Sequence, residues 1–182
     1  MSTTTKPVTI EDYEALGAGA PFELIRGELY EVAATKYRHV VVAGRFARSL
    51  GRYSDSTLPG EVLVGEAGLA LEEDPDSLII PDVAFVREER LLPKDQQGDW
   101  VREPPHVVVE VRSPSNTQQE IKRKLAVYLA AGVPLVWIAD TRDETITAYT
   151  LDGRVRVYVV GEDLDGGNVL PGFRVPVADI FK

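Results

Sequence analysis

Asp82 and Glu110 are the residues whose surroundings most clearly call for a chemical explanation. Asp82 lies in Ile80-Pro81-Asp82-Val83, and Glu110 lies in Val108-Val109-Glu110-Val111-Arg112-Ser113-Pro114-Ser115. Each sets a carboxylate in a run of β-branched apolar residues, where an unpaired charge is costly. Side chains alternate along a strand, so His106, Val108, Glu110 and Arg112 share one face while Val107, Val109 and Val111 share the other. With the Asp82 strand as neighbour, two carboxylates and a cation converge at one end of a sheet. Metal-assisted phosphodiester cleavage needs that set: carboxylates hold a divalent cation that polarises the phosphate and generates hydroxide, and a positive side chain stabilises the developing charge. The chain has no cysteine. A metal would therefore be held by carboxylates, carbonyls or the two histidines, His39 and His106, and oxygen ligands favour Mg²⁺, Mn²⁺ or Ca²⁺.

The elements that must position these residues can be read from patterning. Thr9 with Asp12 makes a capping box for a short helix through Ile10, Tyr13 and Leu16, stopped by Gly17. Phe22 to Val32 reads as a hairpin turning at Arg26-Gly27. From Lys36 to about Arg52, Val42, Ala43, Phe46 and Leu50 follow helical spacing with His39 on the same stripe, while Arg38, Arg45, Arg48 and Arg52 lie on another. Glu61 to Leu71 and Ser77 to Val86 read as two long antiparallel strands joined at Asp74-Pro75-Asp76-Ser77, with a bulge at Gly65 or Gly68. Residues 87 to 105 form a long polar loop before the strand His106 to Arg112. Thr117 with Glu120 is a second capping box, opening a helix with the stripe Ile121, Leu125, Tyr128 and Leu129 that Gly132 and Pro134 close. Leu135 to Ala139 is a short buried strand. A hairpin at Asp152-Gly153 joins Thr145 to Leu151 with Arg154 to Val160, and Pro171-Gly172-Phe173 leads into a short C-terminal segment. Helix, three strands, helix and strand, with hairpins at both ends, make a mixed α/β sheet domain.

The 182 residues, 44% hydrophobic, suffice for a real core and fit one domain over 1–182. There is no apolar run for a membrane span, and the start of the chain has no apolar segment of a secretion signal, so a cytoplasmic protein is expected. The net charge of −9 argues against broad attraction to nucleic acid. The excess is concentrated in residues 61 to 120, which hold 14 acids against 5 bases and include Asp82 and Glu110. Most of those acids read as solvated surface.

Pro-Asp followed, after a strand and a loop, by Glu-x-basic resembles the signature of the PD-(D/E)XK nuclease superfamily. The surrounding phrases are more specific. Phe22-Glu23-Leu24-Ile25-Arg26-Gly27-Glu28-Leu29, Pro81-Asp82-Val83, Glu110-Val111-Arg112-Ser113-Pro114-Ser115, Lys124 with Tyr128, Gly132-Val133-Pro134, Trp137-Ile138-Ala139-Asp140 and Leu170-Pro171-Gly172-Phe173 occur in order. Together, from Ile10 to Phe181, they resemble the Uma-type restriction endonuclease branch of that superfamily. The resemblance implies an α+β fold: a restriction-endonuclease-like mixed sheet core flanked by helices, with extra N- and C-terminal β-hairpins. It matches Asp82 and Glu110 to the metal-binding acids. In this branch the catalytic lysine has moved to the following helix, where Lys124 matches, yet here Arg112 also occupies the older position. The helix usually opens with aspartate, where this chain has Glu120.

Each residue also has a structural reading. Asp82 suits a strand entry after proline, whereas a mid-strand Glu110 among valines demands a partner. Lys124, at the edge of an apolar stripe, could snorkel, and Arg112 could pair with Glu110 or another acid. Glu120 is explained as the capping-box residue. His39 suits a buried core histidine, with a supporting or acid-base role as the alternative. Glu23 matches a recurring family glutamate that could complete an acidic cluster or pair with an arginine. His106 looks incidental. The α-helical arginines between 36 and 52 read as a solvated face, and that stripe is where a phosphate backbone would dock. The leading expectation is a Mg²⁺- or Mn²⁺-dependent endonuclease that hydrolyses DNA. Asp82, Glu110 and Val111 would hold metal, and Lys124, aided by Arg112, would act on water or phosphate. By analogy a homodimer is expected, because cutting both strands needs two sites. The rival expectation is an inactive nuclease-fold module that binds nucleic acid or protein.

Overall fold

The computed structural model describes residues 6–17, 19–32, 34–65, 67–112 and 117–182. Met1 to Thr5 at the chain start and the Ser113-Pro114-Ser115 end of the second motif lie outside them. The chain runs α1 (Ile10–Glu14), β1 (Phe22–Ile25), β2 (Glu28–Glu31), α2 (Tyr37–Ser56), β3 (Gly60–Val64), β4 (Leu69–Glu72), β5 (Ser77–Ile79) and β6 (Val83–Arg87). It continues through β7 (Val107–Arg112), α3 (Gln118–Ala130), β8 (Leu135–Asp140), β9 (Thr145–Thr150), β10 (Val155–Tyr158), β11 (Asp163–Gly166), β12 (Leu170–Pro176) and α4 (Val177–Phe181). The expected mixed α+β architecture with hairpins at both ends is the one observed.

The central sheet has the order β10-β9-β8-β7-β6-β3 and is antiparallel except for the β7–β8 pair. A parallel neighbour requires a crossover, and α3 provides it. Both capping boxes form, with the Thr9 and Thr117 side chains each accepting from a backbone N–H three residues on. Alternation along β7 separates two cores. Val107, Val109 and Val111 pack with Val42, Phe46 and Leu50 of α2. Val108 packs with Val127 and Tyr128 of α3 on the other face. Glu110 therefore lies on the α3 face of a strand buried on both sides.

The two long strands expected over 61–71 and 77–86 are instead four short ones divided between two sheets. β3 and β6 pair in the central sheet, whereas β4 and β5 join a second sheet of order β2-β1-β5-β4. Two local causes break them. Gly65 adopts a left-handed conformation at φ +74°, which ends the extended run of β3. Pro81 has no N–H for a ladder and stands between the end of β5 and the start of β6. The expected bulge is displaced too: the irregularity of register falls between Ala70 and Glu72. Gly68 serves close approach, since a Cβ there would stand 2.6 Å from the Trp100 ring. That ring belongs to the 87–105 segment, which folds back so that Val101 bonds the backbone of Gly68 and Ala70.

At the other end, Phe173 of β12 stacks against Trp137 with centroids 5.4 Å apart and meets Tyr53 of α2 edge-on at 5.5 Å. Such contacts add to the area the rings bury. They fasten the C-terminal ribbon to α2, and the Tyr53 hydroxyl completes the join by donating to the Pro171 carbonyl at 2.9 Å.

His106, expected to be incidental, is a buried strut. Its Nδ1 accepts the Arg87 backbone N–H at 3.2 Å, and its backbone N–H donates to the Phe85 carbonyl. Burial, with Arg90 and Arg87 nearby and only Glu89 opposing, pushes its pKa down to about 4. The unfolded chain takes up this proton near pH 6.5 and the folded chain does not, so stability present above pH 6.5 is lost as pH falls towards 4. Urea denaturation should show a loss of at most about 3 kcal/mol from this group across that window. His106→Gln should flatten that part of the profile, and an unchanged profile would refute the assignment.

Candidate active site

Glu110 is 4% exposed, and its carboxylate is met by two side chains from one face of α3. Lys124 and Tyr128 are one helical turn apart, so they point the same way. The Lys124 ammonium donates to Glu110 at 2.9 Å and approaches its other oxygen at 2.7 Å. The Tyr128 hydroxyl donates to Glu110 Oε1 at 2.5 Å. Lys124 also donates to the Ile80 carbonyl at 3.2 Å and lies 2.9 Å from Glu23 Oε1. Glu23, on β1 of the second sheet, accepts the Ile80 N–H at 3.0 Å.

The break at Ile80-Pro81-Asp82 makes this possible. Inside an unbroken strand the Ile80 backbone would be spent on the ladder. Outside it, the Ile80 carbonyl and N–H are bonded to Lys124 and Glu23. Asp82, at the same break, reaches in two directions. Its Oδ2 accepts the Val111 N–H at 2.6 Å, and its Oδ1 is 2.7 Å from His39 Nε2. His39 comes from α2 on the opposite side of the central sheet, so Asp82 ties that layer to the strand bearing Glu110.

Two carboxylates thus contact one ammonium, and the charge of a third, Asp82, acts on it from nearby. Burial, above all, pushes the Glu110 pKa up to about 7; Lys124 opposes the shift, and Asp82 and Glu23 reinforce it. Burial would strip Lys124 of its proton, but Glu110, Glu23 and Asp82 outweigh it and hold the lysine pKa above its ordinary value. Burial and Glu110 keep the Tyr128 hydroxyl neutral well beyond the usual tyrosine range. The surplus of acid oxygens is a setting that a hard divalent cation relieves. Among the described residues, no three or more His, Asp or Glu side chains are grouped as a complete metal cage. Mg²⁺ does not need one, because it keeps several waters and takes one or two carboxylates. Asp82 and Glu110, with the backbone of Val111 against Asp82, fit that smaller demand.

The remaining sequence candidates separate. Arg112 shares a sheet face with Glu110 but is paired with Asp140, its in-register neighbour on β8, at 2.9 Å. Glu120 closes the capping box on the Thr117 N–H at 3.0 Å. Glu23 and His39 both contact the central residues. In the sequence Tyr128 reads as part of an apolar stripe and, with Lys124, as one phrase of the family resemblance, but with no site role; its spacing of four from Lys124 is the signal that could have placed it beside Glu110.

No helix among the described residues is long and apolar enough to cross a membrane. Among solved structures, the fold is similar to that of a protein described as "a putative nuclease" from Anabaena variabilis ATCC 29413. The TM-score is 0.82 at 15% sequence identity, covering 96% of this chain and 98% of that one. No curated protein matches the chain. Residues 10–178 match the model of the Uma2 family, described as "Putative restriction endonuclease". Nearly the whole chain is spanned by that match, and the chain belongs to the Uma2 family.

Proposed function

We propose that the protein is an endonuclease that hydrolyses DNA phosphodiester bonds with Mg²⁺ or Mn²⁺. Family membership supports a nuclease. The observation that carries the finer reading is the buried contact of Glu110 with Lys124 beside Asp82. Asp82, Glu110 and the Val111 carbonyl would hold the cation. A divalent ion bound there supplies Lewis acidity to the phosphate and acidity to water.

The chain's own groups do the rest. Hydrolysis joins a water oxygen to phosphorus, breaks one P–O ester bond and leaves a proton on the departing oxygen. Negative charge grows on the phosphoryl oxygens, and the fixed Lys124 ammonium stabilises it. Glu23 and the Ile80 carbonyl aim that ammonium. Tyr128 holds Glu110, His39 holds Asp82, and Val111 N–H fixes the second Asp82 oxygen. Such outer contacts orient ligands and tune the site. Arg112, held by Asp140, stands as a supporting cation. A homodimer would present two such sites to the two strands of a duplex.

Supercoiled plasmid should be nicked in Mg²⁺ or Mn²⁺ and spared in EDTA. Asp82→Ala and Glu110→Ala should each lower the rate by about 10²-fold or more; nicking that persists in both would sink the assignment. Plasmid binding without cleavage by the wild type, across both metals, would favour the binding-module reading. The two cations are separable by the same assay. Lys124→Ala should cost about 10²-fold in rate while Arg112→Ala costs less than about tenfold, and the reverse order would transfer the role to Arg112. Mg²⁺ should raise the melting temperature of the wild type by mass action but not that of Asp82→Asn/Glu110→Gln. That scanning measurement reads the metal site independently of turnover.

A further inference from the structure

The two elements that supply Glu23 and Lys124 also enclose a groove of about 390 Å³ with no role in the chemistry above. One wall is the β1–β2 hairpin, with Arg26 and Tyr30; the other is α3, with Gln119, Lys122, Arg123 and Ala126. Those four α3 positions follow the spacing i, i+3, i+4 and i+7, and so form one stripe beside the stripe of Lys124 and Tyr128. The groove is therefore next to the candidate active site along the same helix.

Its cations differ from those around it. Lys122-Arg123-Lys124 is the one run of three basic residues in a chain of net charge −9. Lys124 is committed to Glu110 and Glu23, and Arg26 to Glu72 at 3.1 Å. Among the described residues, neither Lys122 nor Arg123 has a carboxylate partner. The Arg123 guanidinium lies on the Tyr30 ring, 4.1 Å from its centroid, and its Nε is buried without a hydrogen-bond partner. Stacking holds a guanidinium flat and leaves its in-plane N–H donors for a bidentate acceptor such as phosphate. Glu28, the one acid in the groove, is occupied by the Tyr30 hydroxyl. Two arginines of the α2 stripe, the expected docking place, are diverted elsewhere. Arg38 bonds Glu144 and the Phe181 carbonyl, and Arg45 bonds the carbonyls of Ile180 and Lys182.

We propose that this groove grips the phosphodiester backbone of the DNA strand beside the scissile bond, through Lys122 and Arg123. The proposal rests on the nuclease reading and adds the path of the substrate. A negatively charged protein with an acidic site must place cations locally to hold a polyanion, and these two are placed and uncommitted.

Fluorescence anisotropy with a short fluorescein-labelled DNA duplex in EDTA tests it without turnover. Lys122→Ala/Arg123→Gln should raise Kd about tenfold or more and lower the salt-dependence slope by about two charges. Lys122→Glu, a change at an exposed position that leaves the Arg123–Tyr30 stack in place, should weaken binding similarly at wild-type melting temperature. In plasmid nicking, KM should rise while kcat stays within a few-fold. An unchanged Kd and salt slope in Lys122→Glu, or a wild type with no salt-sensitive DNA binding, would overturn the proposal. Failure of the nuclease reading shows separately, as nicking that does not depend on Asp82 and Glu110.

Discussion

The buried carboxylate of Glu110 is the constraint around which this structure is arranged. A charge inside a strand covered on both faces must be paired and hydrogen-bonded or be neutralised. Lys124 and Tyr128 supply the partners, but the nearby Asp82 and Glu23 add more negative charge than one ammonium offsets. The result is a carboxyl group poised near pH 7 beside a lysine that stays charged. A surplus of oxygen donors is what a bound divalent cation uses.

The interruption at Ile80-Pro81-Asp82 is what lets so many elements meet at that carboxylate. It ends a strand of one sheet, begins a strand of another, and leaves the Ile80 backbone to bond Glu23 and Lys124. Asp82 then spans to α2 through His39. The packing behind α2 matters for the same reason. Phe46, Tyr53, Trp137 and Phe173 form a continuous aromatic group that fixes α2 against the sheet and the C-terminal ribbon, and with it the position of His39. A site drawn from β1, β6, β7, α2 and α3 can be held only as well as the layers carrying those elements are packed.

The same geometry divides the basic residues by task. Arg38 and Arg45 bind the C-terminal end, Arg112 binds Asp140, and Lys124 balances buried acids. What the patterning showed as one arginine face on α2 is thus structural at two of its positions. Lys122 and Arg123 remain beside the site without acid partners among the described residues.

Local rules carried much of this protein. Alternation along Val107–Arg112, the Thr117–Glu120 capping box and the Gly132-Pro134 stop placed Glu110 and Lys124 on a strand and the helix after it, and the Pro-Asp and Glu-x-basic motifs singled out both acids. Those features depend on residues a few positions apart, so sequence alone could determine them. Three outcomes depend on partners distant in the chain and were decided only in three dimensions. Two expected long strands were split between sheets, Tyr128 proved to be both a core residue and a hydrogen-bond donor to Glu110, and Arg112 was drawn to Asp140 by the parallel register of β7 and β8. The sequence determined which groups could do chemistry; the sheet break, the crossover and the strand register determined which of them meet, because a charge is committed by whichever opposite charge the fold brings within reach.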